Sequence, residues 1–86
     1  MSFIFPQYRR YLNGKNYFRI DSLDSFEEIR SLGERWLLET HNAKILPDFN
    51  LINDLLHEFV EADQRKERIA ETISSEMYNS IRNLAV

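Results

Sequence analysis

The residues with the clearest capacity for chemistry crowd into the first fifth of the sequence. Six of the 11 aromatic residues stand there, Phe3, Phe5, Tyr8, Tyr11, Tyr17 and Phe18, together with Arg9, Arg10, Lys15 and Arg19 and no acid. Tyr8, Arg10, Tyr17 and Arg19 are the candidate binding face, because rings can stack on bases while cations bind phosphates, the two ingredients of single-strand recognition. The same residue types also stabilise a hairpin by cation–π contact, worth about 0.5 to 1 kcal/mol at an exposed site. The balance of charge favours this second use. Residues 1–20 carry +4, the remaining 66 carry −7, and the net charge of −3 with a pI near 5.3 describes a body that repels a long polyanion.

A second group, Asp54, His57, Glu58 and Glu61, has the i, i+3, i+4, i+7 spacing that lines up three carboxylates and an imidazole on a helix. Glu-x-x-His spacing occurs in metal sites. On the helix expected here the stripe lies opposite Leu51, Leu55, Leu56 and Phe59, on the solvated side, and it lacks converging ligands from a second element. No metal site is therefore expected. There is no Cys, no Gly-x-Ser-x-Gly elbow and only His41 and His57 as candidate bases, so no catalytic residue is assigned. Gly14 and Gly33 stand 19 positions apart, each with a turn or cap to serve, which leaves no phosphate-binding loop and no expected cofactor.

The elements that would position these residues are legible in outline. Asn13-Gly14 between aromatic-rich runs predicts a β-hairpin over about 8–20 with a type I′ turn. A two-residue loop sets Arg10 opposite Tyr17, Arg9 opposite Phe18 and Tyr8 opposite Arg19. Tyr8, Arg10, Tyr17 and Arg19 then share one face, and Tyr11, Phe18 and Ile20 turn towards the core on the other. Ser25 three residues before Glu28, the Phe26, Ile29, Leu32 spacing and Gly33 predict a short helix over 25–32. Residues 36–46 read as a strand ending at Pro47-Asp48, with extension of the preceding helix as the alternative.

From Leu51 the apolar spacing through Leu55, Leu56, Phe59 and Ala62 is helical, although a strand within 50–62 stays open. The charged run Asp63–Arg68 reads as exposed helix surface, and its pairs Asp63 with Glu67 and Glu67 with Glu71 are repulsive. A C-terminal helix begins at a Ser74 cap, with Ile73 and Tyr78 in hydrophobic-staple positions. Ser22, Asp24, Phe26, Ile29, Arg30 and Leu32 recur as Ser74, Glu76, Tyr78, Ile81, Arg82 and Leu84 at an offset of 52. The shared needs of two short amphipathic helices explain this echo more simply than a duplication.

The Tyr8-Arg-Arg-Tyr to Asn-Tyr-Phe-Arg-Ile20 hairpin, the Phe26-Glu-Glu start, Gly33 and above all Ala43-Lys-Ile-Leu-Pro-Asp48 resemble a family of short bacterial proteins. The resemblance covers residues 8 to 56 and implies no activity, cofactor or site residue. After Pro47-Asp48 the family is more strand-like than Leu51–Phe59 is here.

The expected fold is a single α+β domain over 1–86: an N-terminal hairpin in a small antiparallel sheet, a short helix, a strand and C-terminal helices packed on it. Charges interrupt every apolar run, so neither a membrane helix nor a secretion signal is expected, and a cysteine-free chain fits the cytoplasm. The expected function is a non-enzymatic protein-interaction or regulatory module, its partner a protein, with a homodimer included. A single-stranded nucleic-acid binder is the alternative, and a small metal-dependent or hydrolytic enzyme the third reading.

Overall fold

Strands β1 (Gln7–Tyr11) and β2 (Asn16–Ser22) form the expected hairpin in the expected register, with Tyr8 opposite Arg19, Arg9 opposite Phe18 and Arg10 opposite Tyr17. These strands belong to a computed structural model that describes residues 3–86. The turn is not type I′. That type needs positive φ at both central residues, and Asn13 lacks it while Gly14 has φ +71°. The loop is closed by the Gly14 N–H donating to the Tyr11 carbonyl (2.9 Å) and the Lys15 N–H donating to Asn13 Oδ1 (2.8 Å). Asn13 thus serves the turn through its side chain, and Gly14 through its left-handed backbone. Gly14→Val is expected to lower stability by at least about 1 kcal/mol, because a β-branched residue is strained at that φ. An unchanged urea midpoint would contradict the assigned turn.

The helix expected over 25–32 is instead strand β3 (Ser25–Leu32), paired antiparallel with β2 on one side and with β4 (Arg35–Asn42) on the other. The reason is that β3 is covered on both faces. Phe26 points to one layer and Glu27 and Ile29 to the other, all three buried, so the strict alternation of a half-exposed strand is lost and the Phe26, Ile29 spacing imitates a helix. The Ser22 hydroxyl donates to Asp24 (2.6 Å) and shares a bond with Ser25 (2.8 Å), fixing a β-turn where a helix cap was expected. Gly33, at φ +62°, serves the β3–β4 turn, whose backbone demand is the same as that of a helix C-cap.

Strand β4 stops at Asn42, short of the predicted Leu46, because helix α1 runs Leu46–His57. Pro47 lies in its first turn, where no backbone N–H is needed. The Asp48 carboxylate accepts from the N–H groups of Lys44 (3.1 Å) and Ile45 (3.4 Å), so Pro47-Asp48 starts a helix rather than ending a strand. At the other end Glu58 turns left-handed (φ +68°), and the chain continues as β5 (Phe59–Ala62) and β6 (Arg65–Arg68), a separate two-stranded hairpin. The charged run is therefore not helical. Asp63 (φ +49°) and Gln64 (φ +66°) both take positive φ at its turn, the combination that Asn13-Gly14 does not adopt.

β7 (Ala70–Thr72) then pairs with β1, and α2 (Ser75–Arg82) follows, its Ser74 cap accepting from the Met77 N–H (3.1 Å) and Ile73 and Tyr78 buried together as a staple. The main sheet has the order β4-β3-β2-β1-β7 with every strand pair antiparallel. One face packs Phe18, Ile20 and Phe26 against Ile52, Leu55 and Leu56 of α1, and the other packs Tyr17 and Ile29 against Ile73 and Tyr78 beside α2. The echo at offset 52 joins a strand to a helix, so it records neither a pair of helices nor a repeated unit. No helix among the described residues is long and apolar enough to cross a membrane.

Candidate functional site

The sheet does bring Tyr8, Arg10, Tyr17 and Arg19 onto one face, and α2 lies over that face. Tyr17 is only 7% exposed and meets Trp36 edge-on at 5.6 Å between ring centroids, while Tyr8 packs against Tyr78 at 5.3 Å. Arg10 is paired with Glu71, and its Nη1 approaches Met77 Sδ at 3.5 Å. Arg19 is paired with Asp21 (2.8 Å) and reaches Glu27 (3.5 Å). Rings packed against the protein's own aromatics and cations already matched to carboxylates form a support for α2, not an open stacking platform.

At the centre of that support is Glu27, which composition alone did not single out. Its carboxylate is buried and accepts from the Tyr78 hydroxyl (2.8 Å) and from Arg82 Nε (2.8 Å) and Nη2 (3.3 Å). Burial alone would raise its pKa. The hydrogen bonds from Arg82 and Tyr78 and the charges of Arg19 and Arg82 outweigh burial and hold it below the ordinary carboxylate value. The opposite face has its own buried charge. Arg9, which opposes Phe18, donates from Nε to the Leu55 carbonyl (3.1 Å) and from Nη2 to the Leu56 carbonyl (3.2 Å), closing the C-terminal end of α1.

The predicted acidic stripe is divided by the end of α1. Asp54, His57 and Glu61 line a cavity of about 490 Å³ between α1 and the β5–β6 hairpin, but Glu58 turns away and accepts from the Thr72 N–H (2.7 Å). The carboxylate and imidazole atoms that do converge lie elsewhere, on Glu28, Glu39 and His41.

β4 and β7 are the two edge strands of the main sheet, and the outer edge of β4 is only partly engaged among the described residues. A short parallel bridge joins Trp36 to Ala85, with the Val86 N–H donating to the Trp36 carbonyl (2.9 Å) and the Leu38 N–H donating to the Val86 carbonyl (3.1 Å). Alternation then turns the N–H and C=O of Thr40 to the same outer edge, beyond the reach of that bridge. Among the described residues no strand lies alongside Thr40 there. Exposed apolar side chains flank both ends: Leu84 and Val86 beside a cavity of about 350 Å³ at Trp36, and Ile45, Leu46 and Phe49 at the start of α1.

Comparison of the chain with protein-family models, curated proteins and solved structures found no match in any of the three.

Proposed function

We propose that this protein is a non-catalytic interaction module that takes an extended segment of a partner protein against the open part of the β4 edge. The observation that carries this reading is the asymmetry between the two edges of the main sheet. β7 is three residues long, a short edge of the kind that resists pairing, whereas β4 is eight residues long and, among the described residues, its outer edge is engaged from Trp36 to Leu38 and not beyond. Proline is missing from Arg35–Asn42, and so is lysine, the two residues that most often block an edge. Added strands gain affinity from main-chain hydrogen bonds and specificity from neighbouring side-chain pockets, and the apolar residues at both ends of β4 supply the second ingredient. Cytoplasmic work agrees with the cysteine-free composition.

Thr40→Pro tests the reading. It removes an N–H that faces away from β3, so the β3–β4 ladder keeps its bonds at Glu39 and His41 while the outer edge loses a donor. A peptide selected from a random phage-displayed library on the wild-type protein is expected to bind Thr40→Pro at least about 10-fold more weakly, with the melting temperature little changed. A selection that yields no binder, or binders indifferent to Thr40→Pro, would contradict the proposal. So would tight binding of a short labelled oligothymidylate that is lost on Tyr17→Ala in a folded protein.

A further inference from the structure

Glu28, Glu39 and His41 form the one group of metal-ligating side chains among the described residues whose ligand atoms all fall within 4.8 Å of one another. Their convergence follows from the strands. Glu28 and Glu39 are direct cross-strand partners, and His41, two residues beyond Glu39, projects from the same face. Each carboxylate is held by one oxygen, Glu28 Oε2 by Asn16 Nδ2 (2.7 Å) and Glu39 Oε1 by Arg30 Nε (2.9 Å). The other two oxygens point to a common place, with His41 Nε2 at 3.2 Å from Glu28 Oε1 and 3.4 Å from Glu39 Oε2. The His41 ring is itself fixed by stacking on Phe26 at 4.8 Å.

Hydrogen bonding accounts for only part of this. A single ring nitrogen carries one proton and serves one acceptor well, yet two carboxylate oxygens crowd it, and like charges directly opposite across a strand pair repel. Tetrahedral zinc with ligands at about 2.0 to 2.2 Å sets neighbouring ligand atoms roughly 3.3 to 3.6 Å apart, and the two separations from His41 Nε2, 3.2 and 3.4 Å, lie at the short end of that spacing. Asn16 and Arg30 stand where outer hydrogen bonds orient metal-bound carboxylates. A cavity of about 250 Å³, lined in part by Glu28, His41 and Asp48, opens beside the group and has room for a water as fourth ligand.

We propose that Glu28 Oε1, Glu39 Oε2 and His41 Nε2 bind one divalent transition-metal ion of the zinc type, which fastens β3 to β4. The proposal goes beyond the interaction reading and stands independently of it, since it needs side chains on the α1 face and not the outer main-chain groups of β4.

The test is titration of the chelator-treated full-length protein with Zn²⁺ by calorimetry and with Co²⁺ by visible absorption. The expected results are one ion per chain, a Co²⁺ band of tetrahedral intensity and a melting temperature raised by Zn²⁺. Loss of a ligand in His41→Ala or Glu39→Gln is expected to weaken binding by about 100-fold, and loss of an orienting bond in Asn16→Ala by about 10-fold. His57→Ala, which removes the chain's other histidine, is expected to change nothing. Because His41 packs on Phe26, Glu39→Gln decides the matter if His41→Ala does not fold. Binding weaker than stoichiometric, binding that survives Glu39→Gln, or binding abolished by His57→Ala would overturn the proposal.

Discussion

Arg9→Met is expected to lower the stability of this protein by about 3 kcal/mol, a large part of the roughly 5 to 15 kcal/mol available to a small domain. Arg9 is 4% exposed, and its guanidinium bonds the carbonyls of Leu55 and Leu56, which sit at the negative end of the α1 dipole and have no helical partner of their own. Burial pulls the Arg9 pKa below the ordinary arginine value, and the charge of Glu58 pulls it back up. Methionine fills similar volume but leaves both carbonyls without a donor and removes the bonds that tie α1 to β1. Arg9→Lys is expected to recover less than half of the loss, because one ammonium on a flexible stem cannot reproduce the rigid fork. Urea unfolding of the three proteins checks this. Equal stability of wild type and Arg9→Met would show that α1 is held by its apolar contacts alone.

Glu27 should produce the second large effect, on the other face, with a characteristic dependence on pH. Glu27→Ala leaves the buried Tyr78 hydroxyl without its acceptor and Arg19 and Arg82 without a shared carboxylate, an expected cost of about 2 to 3 kcal/mol. The folded pKa of Glu27 lies below its unfolded value. Its contribution is therefore fully present above about pH 4.5, the ordinary carboxylate value, and is lost as pH falls through the depressed folded value. Tyr78 works in the opposite sense. Burial first, and then its bond to Glu27, raise its pKa, so its contribution is complete below about pH 10 and is lost as pH rises towards the folded value. Stability measured against pH should show both limbs in the wild type, a flattened acid limb in Glu27→Gln and a flattened alkaline limb in Tyr78→Phe. Unaltered limbs would remove Glu27 from its place at the centre of the α2 contact.

These two side chains show why the sequence was informative about some elements and misleading about others. The hairpin and its register follow from local chemistry, an Asn-Gly turn between aromatic runs, and they survive although the turn type differs. The α2 helix follows from a Ser74 cap and an Ile73–Tyr78 staple that act within a few residues. β3 carries nearly the same pattern of Ser, acid, aromatic, Ile, Arg and Leu, but its partners β2 and β4 cover it on both sides, and only tertiary pairing separates the two outcomes. The end of α1 at His57 was likewise hidden, since the left-handed backbone of Glu58 has no glycine to announce it. For the candidate sites, spacing places Tyr8, Arg10, Tyr17 and Arg19 together but cannot show that Tyr8 and Tyr17 pack beneath α2 or that Arg10 and Arg19 are paired with acids. The grouping of Glu28, Glu39 and His41 is not legible in the sequence because, with 25–32 read as a helix, nothing brings residue 28 beside residue 39.

In the proposed function, the aromatic and cationic residues of the hairpin hold the fold together while the outer edge of β4 is left to meet a partner. Backbone amide chemical shifts, followed as a peptide selected on the wild-type protein is added, test it most directly. The shifts are expected to move first and furthest over Leu38–Asn42, with the exchange of the Thr40 amide slowed on saturation and the signals of Tyr8, Arg10, Tyr17 and Arg19 nearly still. Changes centred on those four residues, with Thr40 unaffected and α2 released from the sheet, would contradict it.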